Sequence, residues 1–266
     1  MAQTINTNIL AMTAQRNLSR SQNTMATAME RLSSGLRVNS AKDDAAGLAI
    51  AERMNSQVRG MNVAIRNAND GISLAQTAEG GLNEVGNMLQ RMRELTVQSL
   101  NGTNSASDRA NLDLEYQALS DEIERIANVT QFNGKAILST GNAGTFTFQI
   151  GANKDETLDL VTTSILANRA DGSGVFQAVA ADTSIKTSAG GNDALGYLDK
   201  AIAQVTTARA TYGAAQSRFQ SAINNLQIGV ENQAAARGRI IDADFAVETA
   251  ALTRSQILQQ AGNAMV

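Results

Sequence analysis

Cysteine, histidine, proline and tryptophan are absent from all 266 residues, and aromatic side chains make up only 3% of the chain. Without histidine or cysteine, zinc and haem lose their usual protein ligands, and the Ser-His, Cys-His and histidine-base mechanisms each lack a member. Carboxylate chemistry is the enzymatic route that composition leaves open. No disulfide framework can form, so cysteine usage does not locate the protein inside or outside the cell. A net charge of −3 leaves no dominant phosphate-binding face, which argues against nucleic acid as a partner. No run approaches the ~18 to 20 apolar residues that span a bilayer, so membrane insertion is not expected. The amino terminus MAQTINTNIL has neither a basic region nor an apolar h-region, and export is expected to proceed without a cleaved signal peptide.

What is present is a hydrophobic pattern in sevens, built from Ala, Leu, Ile, Val and Met. Ala11, Leu18, Met25 and Leu32 recur seven apart before the first breaker, Gly35, and predict an amphipathic helix. From Asp43 to about Leu100 two series interleave: Ala51, Val58, Ile65 and Ile72, and Met54, Met61, Ala68, Ala75, Leu82 and Leu89. The first fails at Glu79 and Gly86 while Val85, Met88, Met92 and Leu95 start a new phase, so a stutter with local unwinding is expected near Gly80 and Gly81. Ser105 and Asp108 have capping-box spacing ahead of Leu112, Tyr116, Leu119, Ile123 and Ile126, which predicts a helix folding back on its predecessor.

Strand character is confined to the middle. Asn133-Gly134 reads as a tight turn, and TFTFQI followed by GANKDE and TLDLV reads as a β-hairpin. Residues 162–192, rich in Ser, Thr, Gly, Ala and Asp, show no period and are expected to be a small surface excursion or loop. From Asp193 the helical pattern resumes, with Leu198, Val205, Tyr212, Phe219 and Leu226 each seven apart. The fold class is therefore mainly α: a long antiparallel coiled-coil bundle formed by both chain ends, with a small β-hairpin region between them. Residues 1–34 and 240–266 have few large apolar side chains and are expected to order only on assembly.

Several runs resemble one family. ERLSSGLRVNSAKDDAAGLAIAERM (30–54), RNANDGISLAQTAEGGLNEV (66–85), LQRMRELTVQS (89–99), TQFNGKAIL (130–138) and GRIIDADFAVETAALTRSQILQQAGNAM (238–265) are similar to bacterial flagellins, in the family's order. The resemblance implies an extracellular filament subunit with no cofactor, exported unfolded and polymerised at the distal tip as a homo-oligomer. It implies an export chaperone on the carboxy-terminal arm, and cap and junction proteins as further partners. It divides the chain into inner-tube arms at 1–42 and 240–266, a core helical domain at 43–160 and 193–239, and a variable surface segment at 161–192. Family members commonly continue beyond the QQAG motif, so the carboxy-terminal arm reads either as truncated at Val266 or as a short inner helix.

The resemblance also implies contacts with Toll-like receptor 5 at Gln90, Arg91, Glu94 and Leu95, with Glu115 from the neighbouring helix; an ordinary helix-pair or subunit contact is the equal alternative. Met54, Val58, Met61, Ile65, Leu198, Val205, Tyr212, Phe219 and Leu226 are the expected seam, its methionines filling core and permitting small slides between packings. Asp43 and Asp44 are expected to cap a helix, and Asp242 and Asp244 to be helix caps or interface polar groups, rather than to form a hydrolytic pair. A hook-filament junction protein is the nearest rival. A chemoreceptor-type coiled coil fits poorly with the central strands, and a protease insertion of the HExxH kind needs histidine.

Overall fold

The computed structural model describes residues 8–139, 144–162, 164–166, 175–180 and 183–265. The elements run α1 (Ile9–Ser34), α2 (Ala45–Ser99), α3 (Ala106–Val129), β1 (Gln131–Phe132), β2 (Lys135–Ala136), β3 (Thr145–Gln149), β4 (Thr157–Val161), α4 (Val175–Ala178), α5 (Ser188–Ile241) and α6 (Phe245–Met265). The chain is mainly helical, and its described strands form two antiparallel hairpins in the middle, as the sequence pattern predicts. It divides into two compact units, Met1–Gly60 with Ile228–Val266, and Met61–Gln227.

In the second unit α2 and α5 run antiparallel. Arg93 pairs with Asp199 at 2.8 Å, and the Gln216 amide donates to Glu79 at 3.0 Å. The expected unwinding at Gly80 and Gly81 does not occur, because α2 is unbroken from Ala45 to Ser99. Ala64, Ala68, Gly71, Ala75, Ala78, Leu82, Val85, Leu89, Met92, Thr96 and Ser99 are buried in this unit, an alternation of four and three without a slip, and Leu74 and Leu95 are buried beside that line. Val85 and Met92 start no new phase; they continue a series whose earlier members, Ala64, Gly71 and Ala78, are too small to register as hydrophobic anchors. Gly81 instead allows close approach: a β-carbon there would stand 2.9 Å from Thr130 Oγ1 and 3.0 Å from Leu138 Cδ1.

On α5 the large residues Leu198, Val205, Tyr212 and Phe219 are buried, and Ala194, Ala201, Ala208 and Ala215 alternate with them. Leu226 is half-buried. Phe219 sits over Gly71, where a β-carbon would come within 2.6 Å of ring Cζ, and takes Phe148 of β3 edge-on at 5.4 Å between centroids. That contact seats the β3–β4 hairpin, whose pairs Phe146–Leu160 and Phe148–Leu158 share the inward face. The first hairpin turns at Asn133 (φ 49°) and Gly134 (φ 76°), the two positive φ values that a tight two-residue turn requires.

The expected capping box on α3 is present: Ser105 Oγ accepts from the Asp108 amide at 3.2 Å, and the Asp108 carboxylate accepts from the Ser105 amide at 3.0 Å. One correction concerns 161–192, expected as a surface excursion. Ile165, Leu166, Val175, Ala178 and Ile185 are buried core residues. Side chains of α3 hold the backbone there: the Tyr116 hydroxyl donates to Ala178 O at 2.9 Å, Ser120 Oγ to Val179 O at 2.9 Å, and Asp113 accepts from the Ile185 amide at 2.8 Å. Polar composition hid this, because the segment is anchored by its main chain. α5 also begins earlier than Asp193, since Thr187 Oγ1 accepts the Gly190 amide at 3.1 Å and stabilises an extra turn. Residues 163, 167–174 and 181–182 of that segment lie outside the described residues.

In the first unit α1 stops at Gly35, whose φ of 72° closes the helix. Leu36 then forms a bridge to Asp242, the Arg37 amide donates to Ile241 O at 2.7 Å, and the Ala243 amide donates to Gly35 O at 2.9 Å. Val38, Ala51 and Ile241 form a small core beside this clasp. Two expected caps divide their roles. Asp44 caps α2 through the Gly47 amide at 2.8 Å, whereas Asp43 reaches back to the Ser40 amide at 2.9 Å. Asp244 caps α6 through the Ala246 amide at 2.9 Å, whereas Asp242 caps nothing there and lies in the bridge with Leu36.

Candidate assembly surface

α1 and α6 pack antiparallel. Ser21 Oγ donates to Ser255 O at 3.2 Å, Arg31 pairs with Glu248 at 3.1 Å, and a β-carbon at Gly262 would stand 3.2 Å from Leu18 Cδ1. The side of α1 that is at least half-buried reads Ala14, Leu18, Ser21, Met25, Ala28 and Leu32; Ala11, expected in this series, is exposed. The matching side of α6 is Glu248, Leu252, Ser255, Gln259 and Gly262. This is a thin seam. Ala28 is the buried residue of α1, and those of α6 are the polar Glu248 and Ser255.

The larger apolar side chains point the other way. On α6, Phe245, Val247, Ile257 and Leu258 are 69%, 61%, 61% and 55% exposed; on α1, Ile9, Leu10, Met12 and Met29 are exposed as well. Thr249, Ala250, Thr253, Arg254, Ile257 and Leu258 line an open groove along α6. Val247, Ala250, Arg254, Ile257 and Ala261 follow one another at three and four residues, so α6 carries a second stripe opposite the one that meets α1. That stripe was legible in the spacing, but a reading that seeks one seam per helix stops at the first. The stripe is apolar apart from Arg254 and is exposed along its length.

The second candidate area lies on α2 and α3. Arg91 Nη2 pairs with Glu115 at 2.8 Å, and its Nη1 pairs with Glu94 at 3.0 Å, all three side chains being about half exposed or more. Hydrogen bonding to Glu94, then to Glu115, pushes the guanidinium's pKa up and leaves it charged. Gln90, Arg93, Glu94, Val97 and Gln98 line a shallow groove alongside. The structure brings Gln90, Arg91, Glu94 and Glu115 onto the surface but not Leu95, which is fully buried in the core. Leu95 points inward because it follows Met92 by one turn on the core side. Among the other expected seam residues, Met54 and Val58 in the first unit, and Met61 and Ile65 in the second, are half-buried.

No group of three or more acidic residues capable of holding a metal ion occurs among the described residues. No described helix is long and apolar enough to cross a membrane.

Comparison with known proteins places two regions. Residues 5–143 match the bacterial flagellin N-terminal helical region, and residues 195–266 match the bacterial flagellin C-terminal helical region. A flagellin of Halalkalibacterium halodurans is 46% identical over 262 residues, covering 98% of this chain and 94% of its own. Flagellin A of Vibrio anguillarum is 38% identical over 365 residues, covering 100% of this chain and 96% of its own. Among solved structures, the crystal structure of Bacillus cereus flagellin aligns at 32% identity with a TM-score of 0.53, covering 60% of this chain and 88% of that one. A putative flagellar hook-associated protein from Vibrio parahaemolyticus aligns with a TM-score of 0.65, covering 75% of this chain and 100% of that one, at 17% identity; that likeness is one of fold.

Proposed function

The chain belongs to the bacterial flagellin family, and from that membership we infer that it polymerises through the outward faces of α1 and α6. It is a structural subunit of the flagellar filament, the extracellular polymer through which motor torque drives swimming. The observation that carries the assembly reading is the reversed polarity of α6: Glu248 and Ser255 are buried against α1 while Ile257 and Leu258 face out. Covering Ile257 and Leu258, already partly covered, is worth up to about 1.5 to 3 kcal/mol each, which offsets part of the cost of ordering a weakly packed helix pair. A second copy of the chain supplies the matching surface, which is what a repeating polymer needs.

Finer roles follow from the same reading. The arms would form the inner wall of the filament, and an export chaperone would shield α6 before assembly, with cap and junction proteins at the filament's ends. Gln90, Arg91, Glu94 and Glu115 would serve as a subunit contact that Toll-like receptor 5 of a host also engages, since a charged cluster beside exposed Val97 and Leu114 suits an interface. No specific observation favours the hook-filament junction alternative.

The direct test is growth on short filament seeds, followed by electron microscopy. Wild-type chain is expected to extend seeds, and Ile257→Asp with Leu258→Asp to stop extension while the monomer keeps its helical circular dichroism. Normal growth of that double variant would reject the outward face of α6 as the assembly surface.

A further inference from the structure

Written as a heptad with Ala14, Ser21 and Ala28 at one seam position and Leu18, Met25 and Leu32 at the other, α1 has a flank beside its seam made of Met12, Gln15, Ser19, Gln22, Ala26 and Met29. No residue of that flank carries a charge, while Arg16, Arg20 and Glu30 all fall on the remaining outer positions. A thioether stands near each end, Met12 at 62% and Met29 at 54% exposure. The other methionines with described side chains are covered more: Met25, Met54, Met61 and Met88 are half-buried and Met92 is fully buried.

We propose that Met12 and Met29 form an oxidation-sensitive site that decides whether a free subunit can join the polymer, a proposal that rests on assembly through the outer faces of α1 and α6. The reagent class is a two-electron oxygen donor such as hydrogen peroxide. The sulfur lone pair attacks a peroxide oxygen and the O–O bond breaks as the S–O bond forms. The hydroxide that departs takes the proton from the new S–OH group, giving sulfoxide and water; sulfur is oxidised and the peroxide reduced. The sulfoxide replaces a soft apolar tip by a strong acceptor, and covering it against another copy would strand that acceptor without a donor. Accessibility sets the order of attack, so the two exposed thioethers react before those in the seams and the core. A subunit already in the filament has these faces covered and is protected, which makes the site a gate on joining rather than a cause of breakage.

The test exposes free wild-type chain and Met12→Leu/Met29→Leu to hydrogen peroxide, maps sulfoxides by peptide mass spectrometry and measures seed extension after the peroxide is removed. Wild-type extension is expected to fall on the order of tenfold per sulfoxide, as for burial of an unsatisfied polar oxygen. The double variant, which retains every other methionine including Met1, should extend seeds after peroxide at the rate it shows untreated, whatever that rate is relative to wild type, and methionine sulfoxide reductase should restore the wild type. Equal loss in both proteins, undiminished growth of wild type carrying sulfoxide at both positions, or earlier oxidation of Met54 or Met61 would each overturn the proposal. Treating intact filaments with the same dose provides a readout independent of the variant: Met12 and Met29 should stay unmodified there, and their free oxidation would overturn it. Should untreated wild type itself fail to extend seeds, the assembly reading falls and takes this proposal with it. Growth of untreated chain together with any of the adverse results removes the proposal alone.

Discussion

Arg31 and Glu248 meet at 3.1 Å between α1 and α6, and the carboxylate is only 11% exposed. It is an ion pair in a seam whose buried residues are Ala28, Glu248 and Ser255, flanked by half-buried Leu18, Met25, Leu32 and Leu252, so it has a share in setting how those two helices align. Glu248→Ala would leave Arg31 partly covered without its acceptor. We expect the arms to loosen by about 1 to 2 kcal/mol, the cost being moderated because Arg31 keeps a third of its side chain in water. Hydrogen exchange along α1 and α6 should report it, and a double-mutant cycle with Arg31→Ala should return a coupling of roughly 0.5 to 1 kcal/mol. Unchanged exchange in Glu248→Ala would show that the pair does not hold the seam.

Gly71→Ala places a β-carbon 2.6 Å from Phe219 Cζ. Phe219 is fully buried and braced edge-on by Phe148, so the ring has little room to retreat. The variant is expected to lose about 1 to 3 kcal/mol, as overpacked cores do. Urea unfolding would measure it, and Phe219→Leu combined with Gly71→Ala should recover part of the loss.

Asp113 is buried and accepts from Ser184 Oγ at 2.9 Å and from the Ile185 amide at 2.8 Å, with Lys186 Nζ at 3.3 Å. Removing the carboxylate in Asp113→Ala strands those donors, so a loss of about 2 to 3 kcal/mol is expected. Cleavage by protease should appear first around residues 183–187. Tyr116→Phe, which removes one donor to Ala178 O, is expected to cost about 1 kcal/mol by the same assay. Burial, then the nearby Asp113 charge, pushes the Tyr116 hydroxyl's pKa well up, so this contact should survive mildly alkaline pH.

The Ser105 hydroxyl and amide hold the Asp108 carboxyl below its ordinary 3.8. A folded-state pKa that is depressed means the cap's contribution is present above the unfolded value and is lost as pH falls through the folded one. Ser105→Ala should therefore melt lower than wild type at neutral pH, and the gap should narrow as the solution is taken well below pH 3.8, leaving the part owed to the Asp108 amide's bond to Ser105 Oγ. A gap that stays constant to strong acid would mean the carboxylate is not part of the cap's effect.

Helix type, the two hairpins and the capping box were legible because each depends on residues close in sequence: Ser105 with Asp108, Asn133 with Gly134. The α2 seam was misread at Gly80 and Gly81 because alanine and glycine act as core residues only when a large partner fills the space they leave, and Phe219 and Tyr212 lie over a hundred positions away. Motif position puts Leu95 on the surface, whereas helical phase places it with the core. The segment 161–192 was misjudged for another reason: its anchoring runs through main-chain atoms that Tyr116, Gln117 and Ser120 engage, and main-chain atoms leave no mark in composition. The outward stripe of α6 has a regular spacing but needs the structure to show which of two stripes is already occupied.

The meeting of Phe219 with Gly71 also acts as a gauge. Slipping α5 by one heptad along α2 would set the ring over Ala64 or Ala78, and each has the β-carbon that Gly71 lacks. Every copy is thereby held to one length, where a single slip would change it by roughly 10 Å. In a polymer of identical parts such errors do not average away: one mis-set copy displaces all those stacked beyond it. A missing carbon atom at one position thus favours a single register, which every identical copy repeats.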